Sequence, residues 1–428
     1  MIKKLKGIAK TDLIKTSFFT SIAVLVKITT GFVLNKIVAV YIGPIGIAAV
    51  GQFSNFFGII TTIGSAGINT GVVKYIAENK DDEINSQKII STSFLTILIA
   101  SIASGIVLFF VADFFSNWIF KSSKYVYVIH IVSTTLIFGS LNTMLMSILN
   151  GRGEVKKYTL ANIFSSLFVL ILSLFLVVNY KLSGVLIAIV LGQSICFFIT
   201  LFFVLKCHWF KINFFLRNID KTIFRSLTHF SIMTLVSAST GPVALMIIRN
   251  YIGNNLSWEE AGYWQGVWTI SEVYLMLITS SLGVYYLPRL ASLKTEKEIK
   301  KEIISTSKII LPIVSFLALM IFLCKNLVVK ILFSDDFSPM LPLFKYQLMG
   351  DVIKIASWLI AMQMISKRMT KLFVLTEIIF ALTFVILSIL FIDLIGIEGV
   401  ALAFAINYFL YFVFLFVFFQ HHKNPVFL

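Results

Sequence analysis

Apolar residues run along this chain in blocks of about twenty, separated by short polar stretches, and they do not alternate with polar ones. A block of about 20 apolar residues is what a helix needs to cross the hydrocarbon core of a bilayer. A membrane β-barrel would instead show apolar and polar positions in alternation. The blocks predict twelve spans, at roughly 14–41, 45–77, 89–112, 124–149, 158–178, 184–205, 227–251, 260–287, 303–323, 341–365, 372–391 and 399–420. Every connection between them is short, which leaves no room for a soluble catalytic domain.

The spans are duplicated. The stretch AVLVKITTGFVLNKIVAVYIG (23–43) aligns without a gap on MTLVSASTGPVALMIIRNYIG (233–253), and nine of 21 positions are identical. The identities include Leu25 with Leu235, Thr30–Gly31 with Thr240–Gly241, and a shared YIG at the end. Further matches keep their order while the offset drifts slowly: GVVKY (71–75) with GVYYL (283–287), QKIIS (87–91) with KEIIS (301–305), WIFKS (118–122) with ILFSD (331–335), and SGVLIA (183–188) with EGVALA (398–403). Arg152 corresponds to Arg368. Six spans repeated as six spans in the same orientation predict halves related by a pseudo-twofold axis along the membrane normal. The expected organisation is an N-lobe over residues 1–205, made of a basic interfacial helix and six spans, a cytoplasmic amphipathic linker at 206–226, and a C-lobe over 227–428.

Composition agrees with a polytopic membrane protein. Charged residues are 13% of the chain, against about 25% in soluble domains. The net charge of +16 would suggest a polyanionic partner, but its distribution points elsewhere. Of 36 Lys and Arg, 24 fall on the side of the membrane that holds both termini, 5 on the other side and 7 within spans. By the positive-inside rule both termini are then cytoplasmic, and the excess charge reports topology and lipid headgroups, with no nucleic-acid partner. The three cysteines are far apart and no metal-ligand spacing is present. The five histidines stand without an acid or serine at motif spacing, so no catalytic site and no cofactor is expected.

Charge inside the spans is the informative chemistry, because a charged side chain at the bilayer centre costs at least about 2.5–3.5 kcal/mol and is usually functional or paired. Lys27 is about 20 Å from either end of its span at 1.5 Å per residue, too far to snorkel. It is read as a cation on a central aqueous cavity awaiting an anion, or as the partner of Glu272 or Asp351. Lys36 and Arg249 sit nearer span ends, where lining the cavity and snorkelling are both open to them. Trp264, Gln265, Trp268 and Glu272 form one helical stripe, an arrangement of aromatic and polar groups suited to a sugar ring. The two tryptophans also suit the interfacial aromatic belt. Glu272 is either a protonatable coupling site or a counter-charge. Asp351 and Lys354, three residues apart, share a helix face and can pair with each other. Gln52 and Asn55 are further candidates for the polar wall of a cavity.

Five stretches, YIGPIGIAAVGQFSNF (41–56), GINTGVVKYIAE (67–78), AGYWQGVWTISEVYL (261–275), YYLPRLASL (285–293) and YQLMGDVIK (346–354), resemble the Wzx-type polysaccharide flippases of the multidrug/oligosaccharidyl-lipid/polysaccharide exporter superfamily. Within that family the resemblance points to O-antigen and enterobacterial common-antigen translocases. It implies a V-shaped pair of six-helix lobes in the bacterial inner membrane, working by alternating access. The implied cargo is an undecaprenyl-pyrophosphate-linked oligosaccharide, with H⁺ or Na⁺ as a possible coupling ion, membrane lipids as surroundings, and a polysaccharide polymerase and chain-length regulator as partners of a monomer. Lys27, Arg249, Glu272 and Asp351 are the residues to which the resemblance assigns roles. A drug/cation antiporter of the same superfamily and a peptidoglycan-precursor flippase are the alternatives. The first usually carries a carboxylate in its first span, where this chain has two lysines and no acid after Asp12.

Overall fold

The computed structural model describes residues 2–215, 219–293, 295–367 and 369–421, and none of these is in a strand. Ten helices among them are long and apolar enough to cross a membrane. The chain divides into two compact units. One contains the residues up to Tyr41 with Phe53–Ala238, and the other Ile42–Gln52 with the residues from Ser239 on.

The helices of the first half are α1 (Ile2–Tyr41), α2 (Pro44–Gly64), α3 (Asn69–Glu78), α4 (Glu83–Phe110), α5 (Ala112–Phe120), α6 (Val126–Gly151), α7 (Val155–Leu205) and α8 (Lys221–Asn255). In the first unit α6 is the hub: α3, α4, α5 and α7 all pack on it, and α1 packs on α7. Ile76, Ile90, Ile97, Ile148 and Leu149 form the centre of the core. The basic N-terminal segment runs into the first predicted span as part of one helix. The linker puts Cys207 and Phe214 into the core, and a polar clasp holds it there. Trp209 lies under the Arg152 guanidinium (5.2 Å) and donates from Nε1 to Glu154 (3.2 Å).

The second predicted span, 45–77, is not one helix. It breaks between α2 and α3 at Ser65–Ile68, where Ala66 (φ 53°) and Gly67 (φ 62°) are both left-handed. Gly67 is required on two counts: its φ, and a Cβ there would stand 3.0 Å from the Ser231 carbonyl oxygen.

The second half continues as α9 (Trp258–Ser281), a wide π-turn over Leu282–Tyr286, α10 (Leu287–Ser292), α11 (Glu296–Leu323), α12 (Lys325–Leu332), α13 (Leu343–Ser366), α14 (Thr370–Ile395) and α15 (Glu398–His421). Here α13 is the hub, with α9, α11, α14 and α15 against it. α14 keeps Leu375, Ile379, Leu382, Ile386 and Leu390 exposed along one stripe, the face a bilayer would cover. Polar caps start several helices: Asp82 accepts from Asn85 N (3.0 Å), Ser257 from Glu260 N (3.1 Å), and Thr295 forms a reciprocal box with Glu298.

The repeat is visible in the backbone. α7 holds two predicted spans that turn back on each other at Lys181 (φ 49°, ψ −127°). Its counterpart at the repeat offset is Gly396, between α14 and α15, with φ 69° and ψ −148°. Three residues after each turn a glycine lets the returning helix touch the outgoing one. A Cβ at Gly184 would fall 2.0 Å from the Leu176 carbonyl oxygen, and one at Gly399 2.2 Å from that of Phe391. All three pairs, 181/396, 184/399 and 176/391, share one offset. Arg368, the sequence counterpart of Arg152, lies outside the described residues.

Candidate functional site

Arg249 is the most unusual side chain in the second unit. It is 1% exposed, and among the described residues it has no carboxylate within ion-pair distance. Its guanidinium is held by two amides. Nη1 donates to Gln52 Oε1 at 2.6 Å and Nη2 to Gln265 Oε1. Each amide is itself oriented: Gln52 Nε2 donates to the Met246 carbonyl (3.2 Å), and Gln265 Nε2 to the Thr269 hydroxyl (3.1 Å). The Trp264 ring lies 5.7 Å from the guanidinium carbon. Among the described residues, two buried donors of this cluster have no partner, Arg249 Nε and Trp264 Nε1. The cation is therefore desolvated, hydrogen-bonded to neutral oxygens, and carries a spare N–H.

Close helix approach builds this pocket. The start of α2 belongs to the second unit and presses on α9 at two glycines. A Cβ at Gly262 would sit 2.1 Å from the Pro44 carbonyl oxygen, and one at Gly51 2.5 Å from the Gln265 side chain. A side chain at Gly262 would force the Pro44 backbone of α2 away from α9, and one at Gly51 would displace the Gln265 side chain that holds Arg249.

A second cluster adjoins the first through the Trp264–Trp268 edge contact (5.8 Å). Trp268 Nε1 donates to Glu272 Oε1 at 2.7 Å. Lys354 Nζ sits among three rings, 5.6 Å from Trp268, 5.7 Å from Phe404 and 5.5 Å from Tyr408, an arrangement that stabilises a desolvated ammonium through ring quadrupoles. Asp351 is fully buried. Its Oδ2 accepts from the hydroxyls of Ser271 (2.7 Å) and Tyr274 (2.8 Å), while Gln347 Nε2 stands 3.4 Å from Oδ1. Hydroxyls and an amide, and not a salt bridge to Lys354, meet the Asp351 charge among the described residues.

The structure thus brings together Gln52, Arg249, Trp264 and Gln265 in one cluster, and Trp268, Glu272, Asp351 and Lys354 in the next. Lys27 (exposed), Lys36 (half-buried) and Asn55 (half-buried, its Nδ2 without a partner among the described residues) belong to the first unit. Ser271, Tyr274, Phe404 and Tyr408 escaped sequence reading. Hydroxyls and rings are ordinary in apolar helices, and the only local signal was the i, i+4 spacing of Gln347 and Asp351.

A family model described as polysaccharide biosynthesis protein matches residues 13–294. The chain belongs to this family. Among curated members it is 28% identical over 404 residues to the lipid III flippases of Escherichia coli (strain K12) and Shigella flexneri, covering 94% of this chain and 96% of each relative. Among solved structures, the fold matches an inward-facing multidrug resistance MATE family transporter of the MOP superfamily (TM-score 0.77, 14% identity, 94% and 95% of the two chains). It also matches a lipid II flippase in an inward closed conformation (TM-score 0.71, 16% identity, 95% and 87%). As a member of the polysaccharide biosynthesis family with this fold, the chain is a multi-pass membrane protein.

Proposed function

We propose that the protein is a flippase that carries an undecaprenyl-pyrophosphate-linked oligosaccharide from the cytoplasmic to the periplasmic leaflet of the bacterial inner membrane by alternating access. In this reading it has twelve spans in two six-span lobes, with both termini cytoplasmic. The observation that carries the proposal is the buried Arg249, held by glutamine oxygens and, among the described residues, by no carboxylate. A guanidinium fork matches phosphate oxygens two at a time. The Gln52 and Gln265 oxygens occupy the fork as placeholders, and phosphate oxygens replace them when the cargo is bound. The bonds to the glutamine oxygens carry charge only on the donor side, whereas a phosphate adds the opposite charge to a guanidinium with no carboxylate partner among the described residues, so the exchange favours the anion. Lys27 and Lys36 supply further positive charge for the pyrophosphate. Trp264, Trp268 and the polar groups around them hold sugar, and the isoprenoid tail stays in the bilayer.

Glu272 and Asp351 are the candidate coupling carboxylates, and Lys354 is the cation whose field they share. Several features support a lipid-linked saccharide over a cationic drug: the name of the curated relatives, the two lysines of the first span, and the absence of an acid there after Asp12. The test is surface-polysaccharide export in a strain lacking its own flippase and complemented with this chain. Wild type restores export; Lys27→Ala and Arg249→Ala do not, at equal membrane levels. Normal export by both variants would remove the anion-gripping mechanism.

A further inference from the structure

The first unit contains a cavity that the Arg249 cluster does not use. It has a volume of about 480 Å³ and lies between the start of α3 and the end of α6, walled by Asn69, Thr70, Val73, Lys74, Ser147 and Asn150. A volume of roughly 300–1,000 Å³ is usual for a small-ligand site. Its walls are fixed. Asn69 Nδ2 donates to Ser65 Oγ (3.0 Å) and Thr143 Oγ1 (3.3 Å), which ties α3 to α6. At Gly151 a Cβ would stand 2.8 Å from the Val73 carbonyl oxygen, so the two helices touch backbone to backbone.

The polar groups of this cavity are of the kind that read hydroxyls. Asn69 Oδ1 is buried and has no hydrogen-bond partner among the described residues, an acceptor left over after both its amide protons are used. Buried polar atoms are nearly always satisfied, so an orphan calls for an explanation. Asn150 and Thr70 are exposed at the cavity and bring an amide and a hydroxyl, each able to donate and accept. Lys74 adds an ammonium donor, 3.9 Å from Glu78.

The duplicated half shows that the fold does not need this cavity. At the repeat offset Lys74 becomes Tyr286 and Thr70 becomes Leu282. Both are buried, at 0% and 3% exposure, and they pack with Leu290, Leu359 and Met362 in an apolar core. The Tyr286 hydroxyl donates to the Leu359 carbonyl at 2.9 Å, closing the groove. One frame, used twice, is plugged in one unit and left open in the other, with Asn69, Thr70, Lys74 and Asn150 among its lining residues.

We infer that the cavity at the α3–α6 junction is a subsite for one sugar ring of the transported glycan, with Asn69, Thr70, Lys74 and Asn150 reading its hydroxyls and polar substituents. This inference rests on the flippase reading above. By the predicted spans, Lys74 lies within two turns of the inner end of its span and Arg249 two residues from the outer end of its own. The occupant is then a sugar beyond the first, and not the one bonded to the pyrophosphate. The site sets which glycans are carried, through contacts independent of the phosphate grip.

The test uses full-length protein in proteoliposomes with two probes: undecaprenyl pyrophosphate bearing the whole repeat unit, and the same lipid bearing its first sugar alone. Flipping is read by access of a membrane-impermeant reagent to the sugar. Thr70→Leu/Lys74→Tyr copies the plugged state of the other half, where Leu282 and Tyr286 stand. It is expected to slow the full repeat at least tenfold and the single-sugar lipid less than twofold. Equal slowing of both probes would overturn the inference, because a phospholipid headgroup in the cavity or a damaged fold acts on either cargo alike. Unchanged rates on both would overturn it too. Wild type that moves neither probe would bring down the flippase reading, and the glycan subsite with it.

Discussion

The paired turns at Lys181 and Gly396 allow a test of the duplication by stability alone. Lys181 has φ 49° and ψ −127°, a region that glycine enters freely and L-residues with a Cβ do not. Holding a non-glycine residue in a sparsely populated region costs about 1–3 kcal/mol. Glycine would relieve that strain while adding about 0.5–1 kcal/mol of chain entropy to be lost on folding. Lys181→Gly should therefore stabilise the protein, by a net of up to about 2.5 kcal/mol. For a unit of about 200 residues each kcal/mol moves Tm by about 2–4 °C. The reciprocal change, Gly396→Lys, imposes the same strain on the other half and should lower Tm by a similar amount. The assay is thermal unfolding of purified protein in detergent, followed by loss of the monodisperse peak. Lys181→Gly melting at or below wild type would refute the strain argument, and so would Gly396→Lys melting with wild type.

Other outcomes follow from the same geometry. Arg249→Lys keeps the charge but cannot reach Gln52 and Gln265 with a planar fork; losing one charged hydrogen bond, about 1.5–3 kcal/mol, should lower the export rate on the order of ten- to a hundredfold, and export within twofold of wild type would contradict it. Asp351→Leu strands the Ser271 and Tyr274 hydroxyls in a buried site at about 1–3 kcal/mol each, so it should lower Tm clearly, whereas Asp351→Asn still accepts a hydrogen bond and should lower it less. Burial raises the Cys207 thiol above its usual range, and Cys324 is exposed; at neutral pH a maleimide should label Cys324 and spare Cys207, as read by peptide mass spectrometry, and equal labelling would contradict this.

Much of the fold could be read from the chain because the bilayer restricts it to apolar helices and because the repeat supplied a second copy of each element. The helix break at Ser65–Ile68 was harder. Gly64 and Gly67 marked the place, but left-handed Ala66 carries no signal of its own, and an apolar run reads the same whether the helix is one piece or two. In the candidate site, the stripe of Trp264, Gln265, Trp268 and Glu272 was legible because its members share one helix. The Arg249–Gln52 contact was not, since its partners are 197 residues apart and neither residue type implies the other. The Asp351 environment was half-legible. Its i, i+4 partner Gln347 could be counted, but Ser271 and Tyr274 arrive from α9, and only packing brings them there.

The central claim is that the protein moves a lipid-linked oligosaccharide by gripping its pyrophosphate with Arg249. The most direct measurement is the rate at which undecaprenyl-pyrophosphate-linked repeat unit crosses proteoliposomes containing wild type or Arg249→Met at equal protein density. Wild type should raise the rate well above protein-free vesicles, with Arg249→Met near the protein-free rate. Equal rates for the two proteins would contradict the grip, and a wild-type rate equal to that of empty vesicles would contradict the function.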